Sequence, residues 1–190
     1  MEALFNSTLA VTIAEIGDKT QLLALLLVGR FGKPLTVCVG VFVATIINHG
    51  ISAYLGAELS HWIPNNWLPW IIGTGFAAVA IWTLIPDSVD DETPRYDKLG
   101  AFGATCLLFF IAEIGDKTQI ATVVLAAHYS DAIVAVVLGT TLGMLLANIP
   151  AIYGGAWLLK RIPITIIHRI AFVIFASFAL LSFYQGYTAL

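Results

Sequence analysis

The chain has 190 residues, of which 59% are apolar and 11% charged, with a formal net charge of −3. Its mean hydropathy is +0.90 and its isoelectric point is near 5.7. Soluble domains run at about 45–50% apolar and about 25% charged residues. The composition therefore excludes a soluble globular, disordered or collagen-like chain, and the acidic balance excludes a basic surface for nucleic acid.

About 20 apolar residues cross a bilayer as a helix, and six stretches are long enough: roughly 4–28, 34–57, 68–86, 100–127, 132–159 and 163–187. The first has no basic segment before it and reads as a retained span rather than a signal peptide. Turn and charge signals separate the spans, among them Gly29-Arg30-Phe31-Gly32-Lys33-Pro34 and the acidic run Asp87 to Pro94. That run reads as a solvated linker between two halves. Trp62, Trp67 and Trp70, between spans two and three, read as an interfacial aromatic belt. In span five, Gly139, Gly143, Gly154 and Gly155 are expected to allow close helix packing, and Pro150 to kink the helix just beyond Asn148. Cys38 and Cys106 lie in apolar runs and read as small buried residues.

Of the nine basic residues, Lys19 and Lys117 lie inside spans. Arg30, Lys33, Arg95, Lys98, Lys160, Arg161 and Arg169 all fall in or beside the first, third and fifth connections. By the positive-inside rule those connections are cytoplasmic and both termini lie outside.

The stretch Ile13-Ala14-Glu15-Ile16-Gly17-Asp18-Lys19-Thr20-Gln21 recurs without change as Ile111 to Gln119, offset by 98. Each copy sits in the first span of a group of three. Three is odd, so the second group enters the membrane from the opposite side. The expected fold is thus an all-α integral membrane protein of six transmembrane helices, arranged as two inverted-topology three-helix repeats, 1–92 and 93–190, in one compact domain. Such repeats are common in secondary transporters, whose sites lie near the midplane where the repeats meet. Asn48 and Asn148 fall at similar depths in spans two and five and are candidates to face that site.

A charge at the bilayer centre costs at least about 2.5–3.5 kcal/mol. Six charged residues in the two motifs cannot face lipid; they must face one another, a cavity or a bound ion. On a regular helix Glu15, Asp18 and Lys19 share a face, with Thr8 and Thr12 extending it, and Lys19 lies beside Glu15. Gln21 returns toward the carboxylates, whereas Thr20 points away. Gly17 permits a break that would alter these directions. Four carboxylates (Glu15, Asp18, Glu113 and Asp116) against Lys19 and Lys117 leave −2, which suits one divalent cation. The ligands on offer are all oxygen: these acids, the amides of Gln21 and Gln119, and Asn48 and Asn148. Oxygen donors favour Mg, Ca or Mn over Zn or Cu; His49, next to Asn48, would push toward Mn if it reached the site. The same carboxylates can carry protons, so cation and protons would compete for one set of oxygens. The lysines either balance charge, through Glu15–Lys19 and Glu113–Lys117 pairs, or replace the metal in the return state. Thr20 and Thr118 are supporting residues.

Two copies of Glu-x-Gly-Asp-Lys-Thr, each opening a three-span group, resemble the cation/proton antiporter family that includes bacterial manganese exporters and the Golgi calcium/manganese transporter. The resemblance implies that the metal residues are Glu15, Asp18, Gln21, Glu113, Asp116 and Gln119. It also implies Mn2+ efflux across a bacterial inner membrane, with Mn2+ or Ca2+ as transported substrate and no permanent cofactor. A Ca2+/proton antiporter and a small organic solute or amino-acid exporter are the alternative functions. An intramembrane aspartyl protease is disfavoured, because a lysine beside each aspartate disturbs a shared-proton pair; the chain is not expected to be an enzyme.

Overall fold

The computed structural model describes residues 1–85, 97–159 and 164–189. Among them the chain is helical and has no strand. In chain order the helices are α1 (Glu2–Glu15), α2 (Lys19–Phe31), α3 (Pro34–Trp62), α4 (Leu68–Thr83), α5 (Gly100–Glu113), α6 (Lys117–His128), α7 (Ile133–Leu159) and α8 (Ile164–Thr188). The acidic run 87–94 and the basic residues Arg95, Lys160 and Arg161 lie outside the described residues.

Three helical stretches are long and apolar enough to cross a membrane: Pro34–Trp62, Ser130–Gly155 and Thr165–Thr188. At 1.5 Å per residue, the first is about 43 Å long. Leu68–Thr83 and Gly100–Glu113 are shorter apolar helices. The stretches expected as the first and fourth spans are each made of two helices, α1 with α2 and α5 with α6, separated by a short break.

Apolar side chains cover the outside. Ile47, Ile51 and Leu55 on α3, Leu146 on α7, and Val173 and Leu180 on α8 are all about half exposed or more. The inside holds small and polar residues, including Ala10, Ala14, Ala24, Ala53, Thr45, Thr105 and Thr140. This inversion of the soluble pattern fits a protein whose outer solvent is lipid, where close packing of small residues replaces the hydrophobic effect between helices.

The packing crosses between the halves of the chain. α1 lies along α7, and α5 lies along α3, while α4 pairs with α8. Glycines set the approach: a Cβ on Gly139 would stand 2.6 Å from the Leu4 carbonyl oxygen, and one on Gly143 2.8 Å from that of Thr8. A Cβ on Gly40 would stand 2.6 Å from the Thr105 Cβ. The expectation of close packing thus holds for Gly139 and Gly143.

Three local expectations are corrected. The non-helical residue in α7 is Gly155, with φ 66° and ψ −170°, five residues beyond Pro150. No atom comes within 4 Å of a Cβ placed on Gly155, so its role is conformational freedom, not close approach. Trp62 and Trp67 are exposed as an aromatic belt requires, but Trp70 turns inward against Phe183, with ring centroids 5.8 Å apart. Cys38 and Cys106 are only half-buried, and both are free thiols.

Candidate metal centre in the broken helices

The two copies of the repeated stretch fold the same way. Glu15 closes α1; Ile16 is extended, and Gly17 takes φ 88°. Asp18 then caps α2, its carboxylate accepting from the Thr20 N–H at 3.3 Å. In the second copy Glu113 closes α5, Gly115 takes φ 75°, and Asp116 is the N-cap residue of α6. The positive φ is why glycine stands at the break: a Cβ there costs roughly 1–2 kcal/mol. A side-chain oxygen fills part of the gap. The Gln21 Oε1 accepts from the Gly17 N–H at 2.8 Å, and the Gln119 Oε1 from the Gly115 N–H at 2.7 Å.

The break redirects the side chains. Thr20, expected to point away, donates its hydroxyl to Glu15 Oε2 at 2.9 Å, and Thr118 does the same to Glu113 Oε2 at 3.1 Å. The expected pairing of each lysine with the glutamate four residues earlier is also replaced. Lys19 bonds Asp116 at 3.0 Å, and Lys117 bonds Asp18 at 2.6 Å, so each lysine neutralises an acid of the other half. The i to i+4 rule fails because three non-helical residues intervene, Ile16 to Asp18 in the first copy and Ile114 to Asp116 in the second. Thr8 and Thr12 turn their hydroxyls back to carbonyls of their own helix, at 2.8 and 2.6 Å from the Leu4 and Thr8 oxygens.

Glu15, Glu113 and Asp116 each place a carboxylate oxygen within 4.8 Å of the others, and all three are buried. Opposite oxygens around a calcium-sized ion lie about 4.6–5.2 Å apart, so this spacing suits a divalent cation held between them. Glu15 Oε1 and Glu113 Oε1 are buried without a hydrogen-bond partner. A buried acceptor left unpaired costs about 1–3 kcal/mol or more, and a cation or proton would remove that cost. Helix ends add to the field: the C-termini of α1 and α5 carry partial negative charge, and the N-termini of α2 and α6 favour the capping aspartates.

The remaining candidates are placed as follows. Asp18 stands with Lys117 and not in the three-acid group. Gln21 and Gln119 spend their oxygens on the glycine N–H groups. Their amide nitrogens reach across to the long helices, Gln21 to the Ala147 carbonyl at 2.8 Å and Gln119 to Asn48 Oδ1 at 2.5 Å. Asn148 donates to the Met144 carbonyl at 3.1 Å, and its Oδ1 is buried without a partner. His49 is fully buried and lies outside the three-acid group.

These contacts follow an internal register of the long helices. An offset of 99 matches Gly40 with Gly139, Tyr54 with Tyr153 and Gly56 with Gly155. It matches Asn48 with Ala147, the two residues that receive Gln119 and Gln21, and His49 with Asn148. Asn48 and Asn148 lie at similar depths, one helical position apart.

Residues 3–91 and 101–190 match the family model described as "Divalent cation/proton antiporter GDT1". The chain belongs to the GDT1 family. Among GDT1-family relatives, a Vibrio cholerae protein named "Putative manganese exporter" is 43% identical over 180 residues, covering 95% of this chain and 90% of that one. The Synechocystis "GDT1-like protein sll0615" is 28% identical, with 97% and 98% coverage. The Arabidopsis thaliana "GDT1-like protein 3" is 26% identical, with 96% and 71% coverage. No solved structure matches the chain.

Proposed function

We propose that this GDT1-family protein exports Mn2+ from the bacterial cytoplasm across the inner membrane in exchange for protons. In this reading it spans the membrane six times as two inverted three-helix repeats, 1–92 and 93–190, with both termini on the periplasmic side. The cation site lies where the two broken helices meet. Its ligands are Glu15, Glu113 and Asp116, with Asp18 able to join when Lys117 moves. The observation that carries the reading is the convergence of three buried carboxylates from both halves within 4.8 Å. The likeness to the Vibrio protein favours manganese among divalent cations.

The exchange follows from charge. Four acids and two lysines leave −2, and an empty, unprotonated cluster of that charge is heavily penalised in the membrane interior. A divalent cation or protons neutralise it, so one must replace the other. Gln21 and Gln119 hold the breaks open and tie them to α7 and α3. Thr20 and Thr118 fix one oxygen of each glutamate, leaving the other for the ion. To bind Asp116 fully the cation displaces Lys19, which is 30% exposed and has room to swing away. Lys117, 1% exposed, keeps Asp18 neutral during that step.

Purified protein in liposomes with an imposed pH gradient tests this. Mn2+ flux accompanied by opposite proton movement is the expected result, with Ca2+ and Mg2+ run in parallel. The all-oxygen donor set also suits Ca2+, and Ca2+ flux exceeding Mn2+ flux would favour a calcium/proton antiporter. No divalent flux under any gradient would overturn the reading.

A further inference from the structure

A cavity of about 250 Å³ lies apart from the carboxylate cluster and shares no lining residue with it. Its polar wall is Glu2 and Asn6 from the start of α1, His128 and Tyr129 at the end of α6, and Ser182 and Gln185 on α8. The Tyr129 hydroxyl takes a hydrogen bond from the Asn6 amide at 2.7 Å. The His128 ring stands edge-on to Tyr129, with centroids 4.5 Å apart, and to Phe76 at 6.3 Å, which fixes its plane. Ser182 lines the cavity, is 1% exposed, and its hydroxyl oxygen has no hydrogen-bond partner.

The repeat supplies a control. At the offset of 98, the counterparts of Glu2, Asn6, His128 and Tyr129 are Gly100, Ala104, Arg30 and Phe31. The equivalent place in the other half thus loses its carboxylate, amide, imidazole and phenol and gains a permanent cation. The fold does not require these polar groups, so packing does not explain them.

We propose that this cavity is a second divalent-cation site, holding a partly hydrated ion between the Glu2 carboxylate and the His128 imidazole, with Ser182 bound to its water. The volume suits this, since a water takes about 30 Å³ and small divalent ions keep several waters. Carboxylate with imidazole selects transition-metal ions over Ca2+ and Mg2+. The site rests on the export reading for its role, as a station for the cation near the periplasmic mouth.

The test is equilibrium dialysis of the full chain in detergent against Mn2+ at neutral pH. The wild type should bind two ions, the Glu2→Gln/His128→Gln variant one, and the Glu15→Gln/Glu113→Gln variant one. Unchanged stoichiometry in the Glu2/His128 variant would overturn the cavity site. Unchanged stoichiometry in the Glu15/Glu113 variant would instead count against the shared cluster and leave the cavity standing. Folding of the first variant need not decide the matter. In the Glu15→Gln/Glu113→Gln protein, Mn2+ should broaden the His128 ring protons by paramagnetic relaxation, and Ser182→Ala should weaken that binding several-fold. Sharp His128 signals at saturating Mn2+ would refute the site.

Discussion

The two copies of the repeated stretch are identical in nine residues and differ in their surroundings. In the first copy Lys19 is 30% exposed and holds Asp116; in the second Lys117 is 1% exposed and holds Asp18. Gln21 ends on a backbone carbonyl of α7, while Gln119 ends on the Asn48 side chain of α3. Gly115 is exposed where Gly17 is half-buried. One chemistry has thus been placed in two environments: the lysine is the reachable group in the first copy, and the glycine at the break is the reachable group in the second.

The largest test of the comparison removes what the copies share. Glu15→Gln and Glu113→Gln should each bring Mn2+ flux in liposomes to the level of empty vesicles, with the protein still folded by circular dichroism. Full flux in either variant would mean that the two halves do not build one site.

The next removes what they do not share. Lys117→Met removes the buried counter-ion that stands 2.6 Å from Asp18, and should destabilise the protein by about 3–5 kcal/mol. Lys19→Met acts on a pair whose lysine is partly exposed and should cost less. Thermal unfolding in detergent reads the contrast, and equal losses would erase the distinction between the two lysines. Lys19→Met should also tighten Mn2+ binding several-fold, because no internal cation then competes for Asp116.

Smaller effects sharpen the picture. Thr20→Val and Thr118→Val each delete a hydrogen bond to a carboxylate, worth about 1.5–3 kcal/mol. Both should weaken Mn2+ affinity in dialysis, by similar factors if the glutamates act as a pair. Lowering the pH should weaken Mn2+ binding to the wild type, since protons and cation compete for the same oxygens. Binding that strengthens with acidity, followed by dialysis across a pH series, would contradict the competition.

Much of this was legible in the residues. Hydropathy located the helices, and the doubled motif pointed to the buried acids, because six charges in an apolar stretch demand each other or an ion. The family resemblance carried by the doubled motif agrees with the family model that the chain matches. What could not be read was direction. Side-chain geometry on a regular helix paired Lys19 with Glu15 and turned Thr20 away. Three non-helical residues around Gly17 reversed both, and the glycine showed only that a break was possible. The glutamine roles stayed hidden for the same reason, since their oxygens serve N–H groups that exist unpaired only once the helix is broken.

The crossed lysines make the two stretches depend on each other. Each stretch supplies an acid to the other's lysine and a lysine to the other's acid. A change in one copy therefore leaves a defect in the other half of the chain.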